Sequence, residues 1–152
     1  MWDKAVGFGV DIPFVKLLGF ELTKFEGGQS EILFAPKPEH LNSFSVTHGG
    51  ALMTLLDVSM AHAARSIHRD QPGMGPGVVT IEMKTTFMRP SPLGLLTAKG
   101  KLIHRTATMA FTEASIYDEA GRVCASSTGT FKYVKRLPAN PLNEPIPQIS
   151  TD

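Results

Sequence analysis

The chain has 152 residues, of which 42% are hydrophobic and 19% charged, with a formal net charge of +1. This is the balance of one globular domain with a single sizeable core, and it carries no footprint of nucleic-acid or membrane-surface binding. One cysteine, Cys124, cannot form an internal disulfide, which suits a reducing cytoplasm.

The N-terminus, Met1-Trp2-Asp3-Lys4, lacks the basic start and apolar run of a signal peptide. Residues 1–18 hold one short helical segment, Pro13 to Leu18, opened by a proline and closed by Gly19. Phe20 to Phe25 and Gln29 to Ala35 read as strands joined in a hairpin at Gly27-Gly28. Pro36 to Thr47 is a polar loop long enough to be functional. Residues 49–67 form the one long helix, apolar over most of its circumference and therefore expected to be buried against more than one surface. Asp57, Ser59, His62 and Arg65 interrupt it, so it is no membrane span.

Gln71 to Gly77 is a Gly/Pro loop. From Val78 the pattern alternates, with Val79, Ile81, Met83 and Phe87 expected on one face and Thr80, Glu82, Lys84 and Thr86 on the other. Leu93 to His104, Thr108 to Tyr117 and Arg122 to Lys135 are three further strands, the last two joined by a turn at Asp118-Glu119-Ala120-Gly121. Residues 137–152 carry four prolines and read as a mobile tail to a single domain over 1–136. Strands flanking one buried helix predict an α+β domain, an antiparallel sheet curled around that helix.

The chemistry concentrates in His48-Gly49-Gly50 and the helix that follows. Two glycines let the backbone come close to a ligand, and the first helical N–H groups have no intrahelical acceptors and can bind an oxyanion. Asp57 sits among Leu55, Leu56, Val58, Met60 and Ala61. Its neighbours three and four positions away are Met53, Thr54, Met60 and Ala61, none of which neutralises a carboxylate. Burial would raise its pKa toward the range useful for a general base. His48 and Asp57 are about 180° apart around the helix and about 13 Å apart along it. A site using both therefore needs two subunits.

With Asn42 six residues before His48 and Asp57 nine after it, the run resembles the PaaI-type acyl-CoA thioesterases of the hotdog fold, in the 4-hydroxybenzoyl-CoA thioesterase superfamily. The resemblance extends through Gly77-Val78-Val79-Thr80-Ile81-Glu82-Met83 and Phe87-Met88-Arg89-Pro90, and covers roughly residues 17–135. It departs at Ser45, where the family often carries Gly.

The resemblance implies a hotdog fold and hydrolysis of an acyl-CoA thioester without a cofactor. It gives Gly49 N–H, with Gly50 beside it, the task of polarising the thioester carbonyl, and Asp57 that of base or nucleophile. Asn42, His48 and Thr80 would orient thioester and water. It also implies a homodimer with sites at the interface, extended to a tetramer as a dimer of dimers. Arg89, Lys132, Lys135 and Arg136 are candidate contacts for coenzyme A phosphates, and Arg89 is the one placed in the motif.

Rival readings have less behind them. Cys124 has no histidine near it in sequence, and His48, His62, His68, His104 and Asp57 lack metal-ligand spacing. A binding protein without turnover is one alternative. A hotdog enoyl-CoA hydratase is another, since His62 follows Asp57 by five residues, although a helix separates the two by about 140°. Met53, Met60 and Phe87 would serve equally as pocket lining or as core, so the acyl group is not legible.

Overall fold

A computed structural model describes residues 6–135. The tail at 137–152, Arg136 and residues 1–5 lie outside the described residues. The elements follow in the expected order: α1 (Pro13–Leu18), β1 (Glu21–Glu26), β2 (Gln29–Phe34), α2 (Gly49–Ser66), β3 (Gly77–Phe87), β4 (Leu96–Arg105), β5 (Met109–Tyr117) and β6 (Val123–Val134). Two short 3₁₀ turns, Pro38–His40 and Pro72–Met74, lie in the stretches read as loops.

All six strands form one antiparallel sheet in the order β1-β2-β4-β5-β6-β3. The sheet curls around α2, which touches every strand. This is the architecture the pattern and the resemblance imply. Leu55, Leu56 and Met60 on α2 are fully buried, as are Leu22, Ile32, Phe34, Ile116 and Phe131 from the sheet. Burying a side chain of this size contributes about 1.5–3 kcal/mol.

Two backbone carbonyls and one serine hydroxyl of α2 are used to fix its position against the sheet. Ser30 Oγ donates to Ser59 O at 2.6 Å, Gly28 N to Ser66 Oγ at 2.8 Å, and Tyr133 Oη to Ala64 O at 2.7 Å. Each such bond is worth about 1 kcal/mol net, and together they hold the helix in one axial register against the sheet. Gly100 has to be glycine here, because a Cβ would collide with the Ser59 carbonyl.

One expectation is corrected on β3. Strict alternation would put Val79 and Ile81 with Met83 and Phe87. Instead the pairing to β6 slips between Thr80 and Glu82, so Ile81 is an extra residue and the parity changes. Thr80 lies opposite buried Phe131, Met83 opposite Gly129 and Phe87 opposite buried Ala125, so these three face the helix. Val79 lies opposite exposed Lys132 and faces outward. The bulge is what turns Thr80 inward.

Candidate active site

The loop before α2 is built around Asn42. Its Oδ1 accepts from Phe44 N at 2.9 Å and Val46 N at 3.3 Å, and its own N–H donates to Val46 O at 2.8 Å. An asparagine that caps its own turn in this way fixes the loop locally. Ser45 takes φ 59°, the left-handed region that favours glycine. The departure from the family pattern at this position therefore keeps the glycine-like conformation.

His48 is the N-cap of α2. Its Nδ1 accepts from Gly50 N at 2.8 Å, and its carbonyl accepts from Ala51 N at 3.0 Å and Leu52 N at 3.2 Å. The Gly50 amide, expected to face substrate, is thus committed to the cap. Among the described residues, no acceptor meets the Gly49 N–H, which leaves it as the open donor at the positive end of an 18-residue helix.

Gly49 opens onto a cleft of about 330 Å³. Apolar walls come from Val46, Leu52, Phe87, Met88 and Pro90, and polar groups from Asn42 and the exposed Arg89. The backbones of Thr47 and Ser91 tie the cleft's two sides together, with Thr47 N donating to Ser91 O at 2.7 Å. Both side-chain hydroxyls are buried and have no partner among the described residues. The sequence reading missed Val46, Leu52, Met88 and this hydroxyl pair, although Phe87-Met88-Arg89-Pro90 already pointed to that end of β3.

Asp57 lies elsewhere. It is half-buried in a second cleft of about 250 Å³, lined by Ile12, Val58, Ala61, His62, Arg65, Gly77, Val78 and Thr80. Thr80 Oγ1 donates to Asp57 Oδ1 at 2.6 Å. Burial pushes the Asp57 carboxyl above its ordinary value, and the Thr80 hydrogen bond offsets this only in part. Thr80 and Asp57, 23 residues apart in sequence, are therefore brought together, while Gly49, Asn42, His48 and Arg89 gather at the other end of the helix.

His62 lines the Asp57 cleft but has a defined job. Its Nδ1 lies 2.8 Å from the Val58 carbonyl, so that nitrogen carries the proton, and Nε2 accepts from Arg65 Nη1 at 3.3 Å. Cys124 is fully buried in the core. Among the described residues, no three His, Cys, Asp or Glu side chains come together as a metal site, and no helix is long and apolar enough to cross a membrane.

Comparison with known proteins gives the family and the fold. Residues 44–125 match the model of the thioesterase superfamily. The chain is 26% identical over 145 residues to the medium/long-chain acyl-CoA thioesterase YigI of Escherichia coli K12, covering 84% of this chain and 91% of YigI. Among solved structures, the conserved protein PA5202 of Pseudomonas aeruginosa superposes with a TM-score of 0.77 at 25% identity, over 85% of this chain and 99% of that one. The E. coli PaaI protein from the phenylacetic acid degradation operon shares the fold, with a TM-score of 0.74 at 22% identity over 82% of this chain and 86% of that one.

Proposed function

The chain belongs to the thioesterase superfamily, and from that premise we propose that it hydrolyses acyl-CoA thioesters to a carboxylic acid and free coenzyme A. The observation that carries this reading is Asp57, the only acid on α2, half-buried, raised in pKa, and held by a single hydroxyl donor. Gly49 N–H donates to the thioester oxygen as charge develops on it, an interaction typically worth about 3–4 kcal/mol. Asp57 takes a proton from water as the water attacks the carbonyl carbon, or attacks that carbon itself to give an anhydride that water then opens. In both routes the C–S bond breaks and the thiolate leaves as coenzyme A. Thr80 orients the carboxylate, His48 holds the helix start, Asn42 shapes the loop, and Arg89 and Gly50 border the bound substrate. Hydrolysis needs no cofactor.

The working unit we propose is a homodimer. Gly49 packs at the Phe87 end of β3 and Asp57 bonds to Thr80 near the other end, about 20 Å away along the strand. One copy therefore holds two half-sites. The outer edge of β3 pairs with no described strand, and an exposed edge of 11 residues is a template for another strand. Two β3 edges paired antiparallel, with Thr80 of one copy facing Phe87 of the other, bring the partner subunit's Asp57 to Gly49. Two such dimers make the tetramer that the resemblance implies. Hydrolysis inside a cell and a lone cysteine suit a cytoplasmic location.

A panel of acyl-CoA thioesters, scored for thiol release, tests the activity. We expect release of one coenzyme A per acid formed, slowed by about 10²–10⁴-fold in Asp57→Asn. Saturable binding across the panel without thiol release would establish the binding-protein reading instead.

A further inference from the structure

We propose that Phe87 is the specificity-determining residue of the acyl site, its ring forming the wall that decides which acyl groups reach the Gly49 amide. This rests on the thioesterase reading above and adds a residue and a substrate class to it. The β-bulge after Thr80 sets the parity of β3 so that Phe87 faces the helix. Its cross-strand partner Ala125 is fully buried, yet Phe87 is 51% exposed in a single copy. A large aromatic that points toward the core and remains half in the open is not filling core space.

What the ring does touch is the helix start. A Cβ placed on Gly49 would lie 3.5 Å from Phe87 Cζ and 3.6 Å from Cε1. The ring edge thus stands at van der Waals contact from the space beside the open Gly49 N–H, where a thioester carbonyl has to enter. Val46, Leu52, Met88 and Pro90 extend this apolar wall, and the polar groups of Asn42 and Arg89 share the cleft with it. A cleft of about 330 Å³ is small enough that one aromatic ring is a substantial part of its boundary. The group that fits is an uncharged, apolar acyl chain or ring. Its carbonyl oxygen lies at Gly49 and its hydrocarbon lies along Phe87.

The test compares wild type, Phe87→Leu and Phe87→Ala on coenzyme A thioesters of linear acids from acetyl to palmitoyl, together with benzoyl- and phenylacetyl-CoA. The same acyl groups are also offered on N-acetylcysteamine. Trimming the ring should raise kcat/KM for bulky over small acyl groups by about tenfold or more in Phe87→Ala, and by less in Phe87→Leu. Both variants should remain dimeric, so that a changed acyl preference is read on an intact interface. The shift should be the same on both thiols. A uniform fall across the panel would overturn the proposal, as would unchanged acyl preference with altered discrimination between the two thiols, since the ring would then face the pantetheine arm. Absence of thiol release by the wild type from every thioester would remove the thioesterase reading, and this proposal with it. A flat acyl preference in variants of an active wild type would remove this proposal alone.

Discussion

The two ends of β3, to which the proposed mechanism gives opposite halves of one reaction, are built differently. At the Phe87 end the backbone does the work. A capped helix start leaves one amide, Gly49 N–H, open beside an apolar cleft. At the Thr80 end a side chain does the work, a half-buried carboxylate held by a hydroxyl that a bulge has turned inward. An oxyanion donor needs only a rigid helix and space. A base needs burial to raise its pKa and one partner to aim it, and both come from tertiary packing. In that mechanism neither end is complete by itself, and the β3 edge that no described strand pairs with runs between them.

The largest effect should come from removing the charge at the Thr80 end. Asp57→Asn keeps the shape and the Thr80 donor but loses the base, so kcat should fall by about 10²–10⁴-fold. The same change should leave the protein at least as stable at neutral pH. Because burial raises the Asp57 carboxyl above its ordinary value, the unfolded chain ionises first as pH rises. The ionised form therefore costs folding free energy from the ordinary aspartate range upward, in full once pH exceeds the raised folded value. The thermal midpoint of Asp57→Asn should match wild type in acid and equal or exceed it at pH 7, and the acid limb of wild-type kcat/KM should lie above the ordinary aspartate range. A wild type more stable than the variant at pH 7 would show that the carboxylate serves the fold.

A second experiment asks whether the two ends belong to one site. If His48→Ala and Asp57→Asn are each folded and nearly inactive, refolding them together should restore about a quarter of wild-type activity. Half the dimers are then mixed, and each mixed dimer has one site with both lesions and one with neither. Proven subunit exchange without recovery would place both ends in a site within one chain.

The elements were readable because each carries a local signal: Pro13 and Gly19 bracket α1, period-two runs mark the strands, and α2 is apolar most of the way round. Asp57 stood out because its helix offered it no partner. What the sequence could not show depends on contacts between distant segments. Thr80 reaches Asp57 only because Ile81 is an extra residue against β6, and a one-residue slip reverses every face beyond it. Strict alternation therefore misassigned Val79 and Ile81. The motif assigned Gly49 the carbonyl and Gly50 a place beside the substrate, but it could not show that the His48 ring takes the Gly50 amide. Phe87 could be read as core or as lining, because periodicity reports which way a side chain points and not whether anything covers it.

The smallest of the expected effects separates fold from function at the Phe87 end. Gly49 is not required by the fold: its φ lies outside the left-handed region, and an added Cβ would meet Phe87 at an ordinary 3.5 Å. Gly50 differs, since a Cβ there would come within 3.0 Å of His48 Nδ1 and press on the cap. Replacing a helical glycine with alanine removes freedom from the unfolded chain, so Gly49→Ala should stabilise the protein by a few tenths to about 1 kcal/mol. The N–H remains, but the methyl group takes the space through which a carbonyl oxygen must approach it. Activity should therefore fall by about ten- to a hundredfold, the scale of a displacement of about 1 Å at a reacting centre. Thermal unfolding and kcat/KM measured on one preparation decide the matter. A more stable and less active variant means that glycine at 49 is kept for the substrate, whereas a more stable and fully active one would remove the Gly49 amide from the reaction.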